Sequence, residues 1–362
     1  MSPAAAAAAR RADPAVAALC ARLSPAVDRI LEIQEPDGAI PWFEDGPWDP
    51  WNHVEAAMAL SVMGHGAAAD AAYACLQERQ DADGSWLGEY GSALPMSDRL
   101  HIARQPAPAF KDANFIAYPT VGVWHRLVID GDLAAARAAW PMVDAALRFV
   151  LTLQGPEGDV SWCAEAQGSD VDDALLAGNA CIAKSLECGI ALGRAVDAPV
   201  AEFVAARRRL LAAMRARPER FDRRGAGARY AMDWYYPALC GVLTPAEGRE
   251  RLRAGWAGFV LADRGSRCVA DEPWATVAES AELALALAAV EEPALAREVF
   301  EAQFKTVDAL GRFWMGWQSE EEIFWPQEQP AWTQGAMILA ADALFELSPA
   351  STVLVRPVPE AA

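Results

Sequence analysis

The chain has 362 residues, of which 53% are hydrophobic, and its formal net charge is −19. This size and apolar content suffice for a large core, while the acidic balance argues against nucleic-acid binding, since no basic patch could neutralise phosphates. The seven Cys contain no CxxC pair and the four His have no zinc-ligand spacing. We therefore expect reduced thiols, a cytoplasmic protein, and neither a metal nor a cofactor.

No stretch of the sequence is long and apolar enough to suggest a transmembrane helix, and the first residues make a poor signal peptide. Apolar periodicity instead predicts twelve helices. In chain order they span residues 13–33, 51–63, 67–79, 115–129, 133–153, 172–193, 200–217, 233–242, 245–261, 274–290, 293–305 and 331–347. We expect residues 1–12 to be disordered and residues 349–362 to form a flexible tail.

The links between these helices alternate in length. Short links follow the even-numbered helices and long links follow the odd-numbered ones, which pairs the helices into six hairpins. Because the even-numbered helices are rich in small and apolar residues, they suit an inner ring that is crowded around an axis. We predict an all-α fold in which residues 13–348 close into a single (α/α)6 toroid.

A short pattern of Gln, an acid, Gly and Trp recurs after three outer helices. It begins at Gln34, Gln80 and Gln154 and ends at Trp42, Trp86 and Trp162. The Gly allows the left-handed turn that ends a helix, and the Gln can bind backbone groups there. We interpret these segments first as structural clasps between hairpins.

The starts of the inner helices should meet at the end of the toroid that carries the long links. Aromatic and acidic residues gather there, and such a lined cup is a candidate binding site for a small molecule. Its aromatic faces could stabilise the carbocations of an isoprenoid, or its tryptophans could stack on a sugar that paired carboxylates cleave. The candidate substrate-binding residues are Trp51, Glu55, Tyr118, Trp124, Asp233, Trp234, Tyr235, Glu272, Trp274, Glu279, Glu328 and Trp332.

Three carboxylates lie within the four residues Asp170-Val171-Asp172-Asp173, at the predicted start of the sixth helix. Crowded like charges raise one carboxyl pKa, which would make a proton donor, although the N–H groups of a helix start favour the ionised form. The alternative is an ordinary helix cap, with Ser169 or Asp170 at the N-cap position.

Two resemblances follow from these motifs. The Gln…Gly…Trp repeats resemble the QW motifs of terpenoid cyclases and of the related protein prenyltransferases, and residues 170–173 look like the DxDD acid motif of class II terpenoid cyclases. This resemblance implies that Asp172 protonates an isoprenoid while Asp170 and Asp173 orient it. The second resemblance is to six-hairpin glycoside hydrolases.

That second resemblance rests on Gly122-Val123-Trp124-His125 and on Trp325-Pro326-Gln327-Glu328. It implies that the acids are drawn from Asp233, Glu272, Glu279 and Glu328. The sequence hypothesis is a terpenoid cyclase-like enzyme that acts on an isoprenoid, with a carbohydrate-active enzyme or a non-catalytic binding toroid as the alternatives. The oligomeric state stays open.

Overall fold

The computed structural model describes residues 3–90, 110–164, 173–223, 225 and 229–358. Within these ranges the chain folds into two concentric layers of helices. The inner layer comprises α3 (Pro50–Val62), α5 and α6 (Ala113–Ala117 and Pro119–Asp130), α8 (Leu176–Ala195), α10 (Ala231–Leu239), α12 (Val277–Ala289) and α14 (Ala331–Phe345). The outer layer comprises α2 (Pro14–Ile33), α4 (Gly66–Arg79), α7 (Leu133–Thr152), α9 (Ala201–Ala216), α11 (Pro245–Phe259) and α13 (Pro293–Ala302).

The inner helices form a closed ring. Each of α3, α6, α8, α10, α12 and α14 packs on the next, and α14 packs back on α3. Gly335 allows the backbones of α14 and α3 to approach closely, because a Cβ at that position would lie 3.3 Å from the carbonyl oxygen of Glu55. The predicted single (α/α)6 toroid is confirmed. Helices such as α14 are apolar on every side because they are surrounded by other helices.

The long links carry short antiparallel strands of two or three residues each. Strands β1 (Lys111–Asp112) and β2 (Cys163–Ala164) form one pair, and β3 (Val260–Leu261) and β4 (Gly265–Ser266) form another. A three-stranded sheet has the order β5 (Trp274–Thr276), β6 (Gly316–Gln318) and β7 (Ile323–Phe324). Two 3-10 turns, Pro218–Arg220 and Gln303–Lys305, also lie within the described residues.

Apart from α5, which leads directly into α6, each inner helix is followed by a residue in the left-handed backbone conformation. The six residues are Gly64, Gly131, Asp197, Gly241, Glu291 and Glu346, with φ between 57° and 88°. This conformation reverses the chain over a few residues. The short links predicted after the inner helices therefore share one geometry, and they lie together at one end of the toroid.

The Gln…Gly repeats are structural clasps, as expected. Each Gln amide donates both to the carbonyl of the Gly four residues later and to a carbonyl on the next outer helix. The distances are 3.2 Å to Gly38 and 2.9 Å to Ala68 from Gln34, 2.9 Å to both Gly84 and Met142 from Gln80, and 2.9 Å to Gly158 and 3.0 Å to Ala206 from Gln154.

Several predicted boundaries differ from the structure. The sixth helix was expected from Asp172 but α8 begins at Leu176, and the tenth was expected from Trp274, although residues 274–276 form β5 by pairing with β6. The N-terminus, expected to be disordered, forms helix α1 (Pro3–Arg11), and Arg11 Nε donates to the carbonyl of Leu347 at 2.7 Å.

Part of the predicted flexible tail also packs on the toroid. Val353 and Val355 are buried, and Lys184 Nζ donates to the carbonyl oxygen of Arg356 at 2.7 Å. These contacts cover the end of the toroid that carries the short links. Within the described parts of the chain, we find no helix with the length and apolar character needed to cross a lipid bilayer.

Candidate active site

A cavity of about 340 Å³ opens at the end of the toroid that carries the long links. It is lined by the first turns of inner helices and by strand β5. The lining residues are Trp42, Trp51, Asn52, Glu55, Phe115, Met232, Trp274, Thr276, Ala278, Glu279, Glu282, Met315 and Trp332. We call this space the acidic lobe, because three glutamates face it.

The start of α3 positions the first of these glutamates. Asp49 is the N-cap, and its Oδ1 accepts from the backbone N–H groups of Trp51 at 2.8 Å and Asn52 at 2.9 Å. Pro50 occupies the first helical position, which suits its fixed φ. The side chains of Trp51 and Glu55 then lie on one face of α3, since residues four apart are neighbours on a helix.

Glu55 is buried in the wall of the acidic lobe. Its Oε1 accepts from Trp51 Nε1 at 2.9 Å and from the hydroxyl of Tyr118 at 3.3 Å. Burial raises the pKa of Glu55 to about 7, and the charges of Asp49 and Glu279 push in the same direction against those two hydrogen bonds. A large fraction of Glu55 is therefore protonated at neutral pH.

Glu279 and Glu282 lie one turn apart on α12 and extend into the same lobe. Glu279 is half-buried, and its Oε2 accepts from the hydroxyl of Thr276. Glu282 accepts from the hydroxyls of Tyr235 and Tyr236, the latter at 2.6 Å. Burial and the charge of Glu55 raise the pKa of Glu282 well above its ordinary value.

A second cavity of about 280 Å³, which we call the apolar lobe, adjoins the first. The two lobes share Trp51, Phe115 and Met232. The remaining lining residues of the apolar lobe are Asp112, Asn114, Trp162, Leu175, Ala177, Gly178, Asn179, Ile182, Tyr230, Asp233 and Cys268. Although several of these residues are polar, the surface that they expose to the cavity is mainly apolar.

The two acids of the apolar lobe are bound to helix starts. Asp112 is the N-cap of α5, where its Oδ1 accepts from the backbone N–H of Asn114 at 2.8 Å. Asp233 Oδ1 accepts from the backbone N–H of Ala177, at the start of α8, at 3.1 Å. Burial raises the pKa of each to about 7. Both carboxyls therefore have a structural role whether or not they meet a ligand.

Helix α8, which was expected to begin within the Asp-rich motif, begins at Leu176. Asp170 and Asp172 lie outside the described residues, as does Ser169. Asp173 precedes α8 and is buried, and its Oδ1 accepts from the backbone N–H groups of Ala174 at 2.8 Å and Arg223 at 3.1 Å.

The N-cap residue of α8 is Leu175, so the expected cap at Ser169 or Asp170 is wrong. Instead, the first N–H groups of α8 bind Asp233 and Asp222, the latter at 3.0 Å from Leu176. The helix is therefore capped by residues that are distant in sequence.

The other predicted site residues divide into three groups. The structure brings Trp51, Glu55, Glu279, Trp274 and Trp332 together in the acidic lobe, while Tyr118 and Tyr235 support its glutamates through their hydroxyls. Asp233 lies in the apolar lobe.

The remaining four, Trp124, Trp234, Glu272 and Glu328, lie outside both lobes. Trp234 stacks on Phe259 with ring centroids 5.0 Å apart and donates to the carbonyl oxygen of Arg251 at 2.9 Å, so it packs between α10 and α11. Trp124, on α6, is partly buried and packs against the hydrophobic core. Glu272 is exposed beside Arg229 at 3.5 Å, and half-buried Glu328 accepts from the Met315 N–H through its carbonyl at 2.9 Å.

The predicted list omitted several residues that line the acidic lobe, among them Glu282, Trp42, Phe115 and Met232. A helix spacing of three residues from Glu279 could have indicated Glu282. Trp42 was interpreted as part of a clasp, although its Nε1 donates to Asp49 at 2.7 Å and its ring meets Trp332 at 5.6 Å. Within the described ranges, no group of three or more His, Cys, Asp or Glu could hold a metal ion.

Comparison with known proteins identifies a curated relative. The chain is 40% identical over 324 residues to the MMP endo-(1,4)-3-O-methyl-alpha-D-mannosidase of Mycolicibacterium hassiacum, covering 90% of this chain and 86% of the relative. No protein-family model matches the sequence.

Among solved structures, the fold is similar to that of a glycosidase variant, with a TM-score of 0.65, 14% identity, and coverage of 91% of this chain and 98% of that one. It is also similar to a GH63 mannosylglycerate hydrolase from Thermus thermophilus in complex with glucose, with a TM-score of 0.61, 12% identity, and coverage of 88% and 99%.

These findings overturn the isoprenoid hypothesis. The relative acts on a mannoside, and the neighbouring folds are those of glycosidases, so the terpenoid cyclase-like function assigned from the QW-like and DxDD-like motifs is wrong. The QW-like repeats serve as clasps, which any ring of helical hairpins can use. The second resemblance, to six-hairpin glycoside hydrolases, is the one that the comparisons support.

Proposed function

Because the chain belongs to the family of the MMP endo-(1,4)-3-O-methyl-alpha-D-mannosidase, we propose that it hydrolyses α-(1,4) bonds within polymers of 3-O-methylmannose. The chain is an enzyme of the hydrolase type with a carbohydrate substrate. We infer the particular substrate from that of the relative, and we infer the catalytic residues from the lining of the acidic lobe.

One observation supports the choice of catalytic residues. Glu55 and Glu279 line the same cavity from helices α3 and α12, among Trp51, Trp274 and Trp332. Glycoside hydrolysis needs two carboxyl groups, one that protonates the leaving oxygen and one that acts on the opposite side of the sugar. The acidic lobe supplies two such groups together with aromatic surfaces for the ring.

The environments of the two glutamates suggest their roles. Glu55, with a pKa of about 7, can hold the proton that the glycosidic oxygen takes as its bond to the anomeric carbon breaks. Glu279 can accept a proton from the attacking water, whose oxygen then bonds to the anomeric carbon. The reaction consumes one water, and transfer of the proton from Glu279 to Glu55 through solvent restores both groups.

Glu282 has a supporting role in this scheme. Two tyrosine hydroxyls bind it, and burial together with the charge of Glu55 raises its pKa well above the ordinary range, which favours its protonated form.

The apolar lobe fits a methylated sugar. A methyl ether replaces a hydroxyl that would need a hydrogen-bond partner, and a pocket lined by Phe115, Ile182 and Met232 can surround it without leaving a polar group unpaired. We assign to this lobe the sugar unit adjacent to the one whose glycosidic bond is cleaved.

The test is cleavage of α-(1,4)-linked 3-O-methylmannose oligosaccharides by the purified protein, with products identified by mass spectrometry. Shorter internal fragments support an endo-acting hydrolase, whereas an intact substrate contradicts the proposal. The matched unmethylated oligosaccharides should be poorer substrates. The anomer that forms first, followed by NMR, will distinguish water activation by Glu279, which inverts the configuration, from direct attack by its carboxylate, which retains it.

Variants connect the activity to the proposed residues. We expect Glu279→Gln and Glu55→Gln each to lower turnover by roughly 10²–10⁴-fold, the usual contribution of a general acid or base. Glu298→Gln is a matched control, because Glu298 is an exposed carboxyl on the outer helix α13. The control should keep the activity of the wild type. Site variants that are as active as the control would contradict the assignment.

A further inference from the structure

The three-stranded sheet beside the acidic lobe carries a row of side chains that extends away from the lobe along one face. Trp274 pairs with Gln318 across β5 and β6, and Gln318 pairs with Ile323 across β6 and β7. Residues directly opposite in a sheet share a face, and alternation places Thr276, Gly316 and Trp325 on that same face. The hydroxyl of Thr276 donates to Glu279, the candidate base, so this face of the sheet adjoins the candidate base.

Trp274 and Trp325 make contact across the sheet. The indole Nε1 of Trp274 donates to the carbonyl oxygen of Trp325 at 2.6 Å, and the two rings meet edge to face with centroids 5.2 Å apart. The absence of a side chain at Gly316 permits this arrangement, since a Cβ there would lie 2.5 Å from that same Nε1. The position of Trp274 is thus fixed by contacts before any ligand arrives.

Trp325 is more exposed than any other tryptophan of the described residues. Its relative accessibility is 39%, while Trp317 on the opposite face of the sheet is covered by the guanidinium of Arg264, 3.9 Å from its ring centroid. An exposed indole costs solvation free energy that a binding partner recovers. Because Trp274 lines the acidic lobe, its contact places the exposed Trp325 next to the wall of the cavity.

We propose that Trp274, Gln318 and Trp325 form a binding shelf for sugar units of the polymer that lie outside the two lobes. This inference rests on the proposed function and assigns a further subsite to the same enzyme. The indole faces would pack on the apolar C–H faces and methyl ethers of the sugars, and the Gln318 amide would bind their hydroxyls. From β5 to β7 the shelf extends roughly 10 Å.

The size of the cavity gives a reason for such a shelf. Volumes of about 340 Å³ and 280 Å³ lie at the lower end of ordinary small-molecule pockets, so the two lobes hold only a few sugar units. An enzyme that cleaves inside a polymer also has to accommodate the units beyond them. A rigid aromatic surface binds these units with little loss of side-chain entropy.

The experiment compares a tetrasaccharide with a long oligosaccharide of α-(1,4)-linked 3-O-methylmannose. For Trp325→Ala we expect the ratio of kcat/KM for the long substrate to that for the tetrasaccharide to fall roughly fivefold to tenfold, the equivalent of one aromatic contact. Trp325→Tyr should restore most of that ratio. Leu310→Ala, which removes another exposed apolar side chain, should leave the ratio unchanged.

Equal losses on both substrates, or no loss on either, would overturn the shelf. Thermal unfolding of each variant shows whether the fold is retained. Calorimetric binding of the long oligosaccharide to Glu279→Gln, with and without Trp325→Ala, tests the shelf apart from catalysis. If the wild-type protein binds the oligosaccharide through Trp325 but does not cleave it, the proposed function is wrong and the shelf is supported. If Trp325→Ala does not change binding, the shelf alone is wrong.

Discussion

The hydroxyl of Tyr236 on α10 donates to Oε1 of Glu282 on α12 at 2.6 Å, which joins two neighbouring inner helices beneath the candidate acid and base. Tyr235 donates to the other oxygen of the same carboxyl. Each oxygen of this buried acid thus has a tyrosine partner, and the floor of the acidic lobe is fixed by hydrogen bonds.

We expect Tyr236→Phe to lower the free energy of unfolding by about 1 kcal/mol, because it removes a hydrogen bond and leaves a buried carboxyl oxygen with one partner fewer. Urea denaturation measures the change. Tyr73→Phe is the matched control: the Tyr73 hydroxyl is buried and has no hydrogen-bond partner within the described part of the chain. Equal losses for both variants would mean that the bond to Glu282 contributes nothing specific.

The raised pKa of Glu55 predicts how stability depends on pH. The carboxyl titrates at 4.5 in an ordinary environment and at about 7 in the folded protein. The folded state therefore binds more protons than the unfolded state in this interval, so the stabilisation is complete below pH 4.5 and is lost as the pH rises through 7.

Glu55→Gln removes this titration while keeping an oxygen that can accept from Trp51 and Tyr118. Between about pH 4.5 and 8 the variant should gain stability relative to the wild type, by an amount on the order of 3 kcal/mol. Thermal unfolding of both proteins across this range measures the difference. A difference that stays constant with pH would show that Glu55 is not protonated in the fold.

The same proton predicts the pH dependence of activity. If Glu55 donates to the leaving oxygen, kcat/KM should decrease about tenfold per pH unit above an apparent pKa of about 7, because only the protonated carboxyl is a donor. The profile is measured with 3-O-methylmannose oligosaccharides. A kcat/KM that continues to rise to about pH 9 would assign the proton donor to another residue.

The clasps predict a difference between two glycines of similar backbone conformation. Gly84 has φ +90° and a Cβ there would lie 2.3 Å from the carbonyl oxygen of Ala145, whereas Gly64 has φ +88° and nothing within 4 Å. Both Ala variants carry the backbone strain of about 1 kcal/mol or more.

Only Gly84→Ala also forces the clasp away from α7, so we expect it to lose at least about 2 kcal/mol more than Gly64→Ala. Chemical denaturation of the two variants beside the wild type gives the comparison. Similar losses would indicate that the close approach is relieved by a small backbone shift.

The sequence by itself determined the toroid. Alternating short and long links fix which helices pair, and left-handed residues such as Gly64 and Gly131 end inner helices in a way that is local to a few residues. It also placed Trp51, Glu55, Trp274, Glu279 and Trp332 at one end, because every inner helix starts there. These features depend on contacts between residues that are close in the chain.

Only the tertiary structure decided which acids share a cavity. Asp173 resembled part of a catalytic motif, yet it binds backbone N–H groups near α8, whereas Glu55 and Glu279 line one cavity although they lie far apart in the sequence. The raised pKa of Glu55 comes from burial first and then from the charges of Asp49 and Glu279. Burial of that kind arises when the ring closes between α14 and α3, and no local pattern encodes it.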